Sequence, residues 1–107
     1  MPSSTGIGVP EADTGGVGAT TPDAAQSEVL WCCYAWPSSF GNSGNKTFFV
    51  NQSGDVLMTK NLGQRYGGAI NVPAYTAAFL KGAGNAMGST VAANTSGQDD
   101  QLWIVAQ

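Results

Sequence analysis

Enzymatic chemistry needs a nucleophile with a base, a pair of cooperating acids, or a set of metal ligands. This chain of 107 residues offers little of each. It contains no histidine, which removes the commonest general base and the commonest zinc ligand together. Its serines therefore lack a partner to activate them, and the Gly41-Asn42-Ser43-Gly44 stretch reads as a turn, not as the G-x-S-x-G elbow of a hydrolase. The residues before Lys81 lack the G-x-x-x-x-G-K spacing of a phosphate loop. Of the seven acids only Asp99 and Asp100 are adjacent, and no spaced acidic loop surrounds them to complete a calcium shell of six to eight oxygens. They read as a solvated turn. Cys32 and Cys33 are also adjacent, and in an extended strand their thiols point to opposite faces, so they read as two small buried hydrophobes. A vicinal disulfide, or a bridge to another chain from a surface sulfur, stays open. The expectation is a protein that is not an enzyme and holds no metal or cofactor.

The remaining chemical resource is aromatic. Three tryptophans, three tyrosines and four phenylalanines are a heavy load for so small a chain. Either they fill a core, or some form an exposed patch for assembly or a platform for sugar. Net charge is −3 and only Lys46, Lys60, Arg65 and Lys81 are basic, which cannot neutralise a run of phosphates and excludes nucleic acid as a partner.

The elements that must carry these residues are strands. Residues 29–36, 46–51 and 56–60 are short, β-branched or aromatic runs, separated by the turn residues 41–45 and 53–55. A fourth run, 101–106, closes the chain. The first strand is apolar on both faces, which predicts a central strand covered on both sides and ended by Pro37. Pro73 is placed to start a short helix over 74–81, stopped by Gly82. Residues 84–94 fit a second weak helical turn or an irregular lid. The fold class expected is mainly β with a minor α component: a small antiparallel β-meander of about four strands, one or two short helical turns and an extended N-terminal arm.

Residues 1–27 are rich in Gly, Thr, Ser, Pro and Ala and cannot offset their own ordering entropy by burial. They read as a tail or, if ordered, as an arm laid across a neighbouring subunit. Residues 28–107 form the folding unit, and about 80 residues bury only a small core. No basic start with an apolar stretch behind it marks a signal peptide, and no segment approaches the length of a membrane span. The expectation is a chain that is cytosolic, a mature product, or exported with something else.

The run Tyr34-Ala35-Trp36-Pro37, then Gly41-Asn42-Ser43-Gly44-Asn45-Lys46-Thr47-Phe48-Phe49-Val50-Asn51-Gln52-Ser53-Gly54-Asp55-Val56, resembles the closing β-hairpins of type IV pilins and type II secretion pseudopilins. The stretch Gly97-Gln98-Asp99-Asp100-Gln101-Leu102-Trp103 is similar to the polar turn and last strand of some of those domains. The long hydrophobic N-terminal helix of a pilin has no counterpart here. The chain thus looks like the globular half of a split type IV pilin, whose helix belongs to a separate short subunit. The resemblance implies a structural subunit of a surface filament, exported through the periplasm with its helical partner, its sheet docked on that helix and its arm on neighbouring copies. Trp31, Tyr34, Trp36, Phe48, Val50 and Trp103 are the anchors expected at that interface, since buried aromatic residues dominate such contacts. The alternatives are a secreted monomeric carbohydrate-binding or adhesin module, or a filament-assembly chaperone that leaves before the polymer is complete.

Overall fold

The computed structural model describes residues 1–4, 6–9, 21 and 23–106. The chain is mainly β. Strands β1 (Cys32–Ala35), β2 (Thr47–Asn51), β3 (Val56–Thr59), β4 (Thr95–Ser96) and β5 (Leu102–Val105) form one antiparallel sheet in the order β1-β2-β3-β5-β4. The meander is fixed by its turns. Gly41 (φ 85°) opens the loop from β1 to β2, and Gly54 (φ 80°) turns β2 into β3, both in the left-handed region that glycine enters without steric cost. Around Gly54, the Asn51 side-chain oxygen accepts from the backbone N–H groups of Ser53 and Asp55, which ties the turn to the strand before it. The closing run 101–106 does join the sheet, pairing with β3 through Leu57↔Val105 and Met58↔Ile104.

Two expectations about placement fail. β1 is an edge strand, not a central one: among the described residues its only ladder is with β2. Its two apolar faces do not mean two covering layers, because only the Cys32 and Tyr34 face meets the core. The helix expected over 74–81 is absent. Residues 75–78 form turns closed by short bonds, Ala77 N–H to Ala74 C=O and Phe79 N–H to Thr76 C=O. Tertiary partners take the backbone groups a helix would use. Tyr34 Oη donates to the Tyr75 carbonyl and accepts from Ala78 N–H, while Ala92 N–H donates to the Ala78 carbonyl. Residues 84–94 are irregular as well. The one α-helical turn among the described residues is α1 (Ala24–Ser27), where the Asp23 carboxylate accepts from Gln26 N–H as an N-cap.

The core lies on one side of the sheet. Phe49, Leu57 and Trp103 from the strands pack against Ala77, Ala78, Phe79 and Ala92 of the loops, with Cys32, Tyr34, Tyr75 and Val91 at the margin. Its rings meet mostly edge to face, as in Phe49–Phe79 at 6.3 Å and Tyr34–Trp103 at 6.1 Å, the geometry that aromatic quadrupoles favour. The described part of residues 1–27 packs on this same domain. Pro2 bridges to Gly8 and Ile7 to Ala86, Val9 is buried, and Met87 N–H donates to the Gly6 carbonyl. Residues 5, 10–20 and 22 of the arm expected over residues 1–27 lie outside the described residues.

Candidate interaction surface

Strand alternation divides the sheet into two faces, and register aligns them. Phe49 sits opposite Tyr34 and Leu57, and those three residues point to the core with Trp103. The intervening positions point the other way: Cys33 and Ala35 from β1, Phe48 and Val50 from β2, Val56 and Met58 from β3, Leu102 and Ile104 from β5. Register pairs Cys33 with Val50, Ala35 and Met58 with Phe48, Val56 with Val50, and Ile104 with Met58. These eight residues form one continuous apolar row set without a single charge or hydroxyl. Phe48 is 41% exposed, Val56 43% and Leu102 58%, while Val50, Met58 and Ile104 are partly buried. At one end an open groove of about 330 Å³ runs between Met58, Leu62, Leu102 and Ile104, with Lys60 and Asp100 in its wall.

The covered face carries the core residues Phe49, Leu57 and Trp103, with polar residues at the strand ends. Thr47, Asn51 and Thr59 lie there, buried. An antiparallel sheet with one solvated face normally reads apolar inward and polar outward. Here polar strand residues go inward at the strand ends, and the outward rows of β1, β2, β3 and β5 are apolar, with Ser96 of β4 beside Leu102 at the margin. Thr47 is fully buried, and its hydroxyl has no hydrogen-bond partner among the described residues.

Of the six anchors read from sequence, Phe48 and Val50 stand on the open face. Trp31 extends the Cys33–Ala35 row and is 37% exposed, its backbone N–H donating to the Gln52 side chain. The other three serve the domain itself. Trp103 is completely buried and donates its indole N–H to Asp99 at 3.0 Å, so it presents nothing to a partner. Tyr34 is half-buried on the covered face, where it bonds the 75–78 turns, and burial pushes its phenol pKa up. Trp36, half-buried just past the end of β1, donates to the Gly68 carbonyl at 2.8 Å and holds the 67–71 loop. Reading by aromatic type alone missed the aliphatic members Val56, Met58, Leu102 and Ile104.

Two further sequence readings change. Cys33 is exposed on the open face and only Cys32 is partly buried; both thiols are free, and burial raises the Cys32 pKa. Asp99 is not a solvated turn residue. Its carboxylate accepts from Trp103 Nε1, Tyr66 Oη at 2.8 Å, and both Gln101 N–H and Gln101 Nε2. Burial and this acidic acceptor together hold the Tyr66 phenol protonated, with its pKa raised. Asp100 instead pairs with Lys81 at the surface. No group of three or more potential metal ligands occurs among the described residues, and no helix among them is long and apolar enough to cross a membrane.

A family model described as a protein of unknown function (DUF2950) matches residues 26–74, the stretch that carries the β1–β2–β3 meander and the loop after it. No curated protein and no solved structure matches the chain.

Proposed function

We propose that this domain is the structural subunit of a type IV pilus-like surface filament, docking its open sheet face non-covalently onto a separate helical pilin partner. The observation that carries the reading is the second apolar face of the sheet: eight apolar positions of β1, β2, β3 and β5 point away from a core already filled by Phe49, Leu57 and Trp103. A face of that composition is stable in water only at a cost and is suited to burial. Strands about 4.8 Å apart give four of them a width of about 15–20 Å. One helix, about 10 Å across, lies on such a face with room for its side chains. The resemblance of the 34–56 hairpins to pilin-like domains points the same way.

A sugar platform is less well supported. Carbohydrate sites set amides and carboxylates among their rings, and the eight open-face positions offer no such group.

The deciding experiment is intact-mass spectrometry of sheared, washed surface filaments from the native source. The expected result is this chain at one-to-one stoichiometry with a short helical protein. Recovery only as a free soluble protein refutes the reading. A complex with the helical protein inside the cell, absent from finished filaments, selects the chaperone alternative.

A further inference from the structure

We infer that the open face takes an apolar α-helix whose acidic C-terminal end lies over a lysine pair, Lys46 and Lys60; this rests on the docking reading above and adds the partner's charge and direction. Thr47 and Thr59 are the last paired residues of the β2–β3 ladder. One step further, alternation puts Lys46 in the row of Phe48 and Lys60 in the row of Met58, across from each other on the apolar face. Both are exposed, and neither forms an ion pair among the described residues. Like charges set directly across a ladder destabilise it. The nearby carboxylate in the groove wall, Asp100, is occupied by Lys81 and does not relieve them.

At the other end of the same rows, beyond Val50 and Val56, the turn over 51–55 carries no lysine or arginine. Its carboxylate, Asp55, falls by alternation in the row of Leu57 and accepts from Asn51 Nδ2 at 3.2 Å, so it belongs to the covered side. The open face is therefore cationic at one end only. A helix complements that pattern in one direction: its C-terminal carbonyls and any terminal carboxylates over the lysines. The aliphatic rows supply the burial and the lysine end supplies direction.

The probes are two synthetic helical peptides of about 18 residues, about 27 Å long, with identical Leu/Ala-rich bodies. One ends in two glutamates and the other in two lysines. Binding to the full chain is followed by the emission of Trp31, the tryptophan in line with the open face, and by calorimetry. The chain's net charge of −3 favours the basic peptide through its overall field, so a preference for the acidic one is diagnostic of the local pair. The expected result is about tenfold tighter binding of the acidic peptide at low salt. That preference should vanish near 1 M salt, where the screening length is about 3 Å, and reverse in the K46E/K60E variant. Should K46E/K60E fail to fold by near-UV circular dichroism, K46Q/K60Q serves instead and should abolish the preference without reversing it. Equal binding of both peptides, untouched by either variant, overturns the charge inference and leaves the docking face standing. Tighter binding of the basic peptide also overturns it. Binding of neither peptide at millimolar concentration overturns both readings. A dimer of the chain in sedimentation, broken by Phe48→Asp, makes a second copy the occupant and overturns the helix.

Discussion

Replacing Asp99 with alanine should be the most destabilising polar substitution in the domain. Its carboxylate accepts four hydrogen bonds, from Trp103 Nε1 (3.0 Å), Tyr66 Oη (2.8 Å), Gln101 N–H (3.0 Å) and Gln101 Nε2 (3.0 Å). Trp103, Tyr66 and Gln101 are all nearly or wholly buried, at 0%, 4% and 6% exposure. Alanine leaves their donors without an acceptor, and each buried orphan costs about 1–3 kcal/mol. Water entering the new gap can satisfy some of them, so the expected loss is about 3–5 kcal/mol rather than the full sum. Against a typical total of about 5–15 kcal/mol, this brings the domain close to unfolding. Asp99→Asn is the internal control. It keeps one acceptor oxygen, and its amide can donate to the tyrosine oxygen, so about 1–2 kcal/mol should go. The assay is urea denaturation followed by tryptophan emission and far-UV circular dichroism, with the midpoint converted at a shared slope. A loss under about 1 kcal/mol for Asp99→Ala at unchanged slope would refute the idea that this carboxylate organises the covered face.

The other expectations concern single side chains. Thr47→Val keeps shape and removes a buried hydroxyl that has no partner among the described residues, so urea midpoints should rise by the equivalent of about 1 kcal/mol; a fall would mean that the hydroxyl is satisfied in solution. At Gly97 a Cβ would collide with the Ala77 carbonyl oxygen and come within 2.8 Å of Trp103 Cδ1, so Gly97→Ala should cost about 1–3 kcal/mol by thermal melting. Tyr34 has a phenol pKa raised by burial above the unfolded value of about 10, so its contribution is complete below pH 10. Above pH 10 the unfolded chain gives up this proton and the folded one keeps it, so stability should fall by up to about 1.4 kcal/mol per pH unit. Tyr66 acts in the same direction, and an alkaline titration of Tyr34→Phe should show a shallower decline. Phe48→Thr, on the open face, should change stability by less than about 1 kcal/mol while abolishing helical-peptide binding; a large stability loss would place Phe48 in the core.

The strands were legible because their signal is local. Thr47–Asn51 and Val56–Thr59 are β-branched and aromatic runs set off by a glycine turn, and no helical period competes. What could not be read was which face the covering loops take. Alternation assigns Phe48 and Phe49 to opposite faces but gives neither one to solvent, and the rule of polar outward would have chosen the wrong face. The 74–81 helix was misread because its competitors are distant: Tyr34 reaches Tyr75 and Ala78 from more than 40 residues away. Asp99 was misread for the same reason, since Tyr66 stands 33 residues before it and no spacing rule links the two. The position of β1 shows the opposite error. Two apolar faces suggest two covering layers, whereas Cys33 and Ala35 stand exposed and only the Cys32 and Tyr34 face meets the core.

The aromatic residues explain how the domain can keep one face for another molecule. Tyr34, Trp36, Tyr66, Tyr75 and Trp103 each direct a polar tip to a loop carbonyl or to Asp99, so they tether irregular loops that have no helix of their own. With the loops held by these tethers, the aliphatic rows are not needed inside. Their value to a partner is limited, however. Phe48, Val56 and Leu102 are about half exposed, and full burial of such a side chain is worth about 1.5–3 kcal/mol from complete exposure, so each offers about 1 kcal/mol. Adding smaller amounts from the remaining positions gives a gross gain of about 5–7 kcal/mol. Losing the freedom of two separate molecules costs about 4–15 kcal/mol. One domain on one free helix should therefore bind weakly, with a Kd in the millimolar range or above. Durable attachment then requires many copies at once, each held by its neighbours as well as by its own helix, and that is the situation a filament provides.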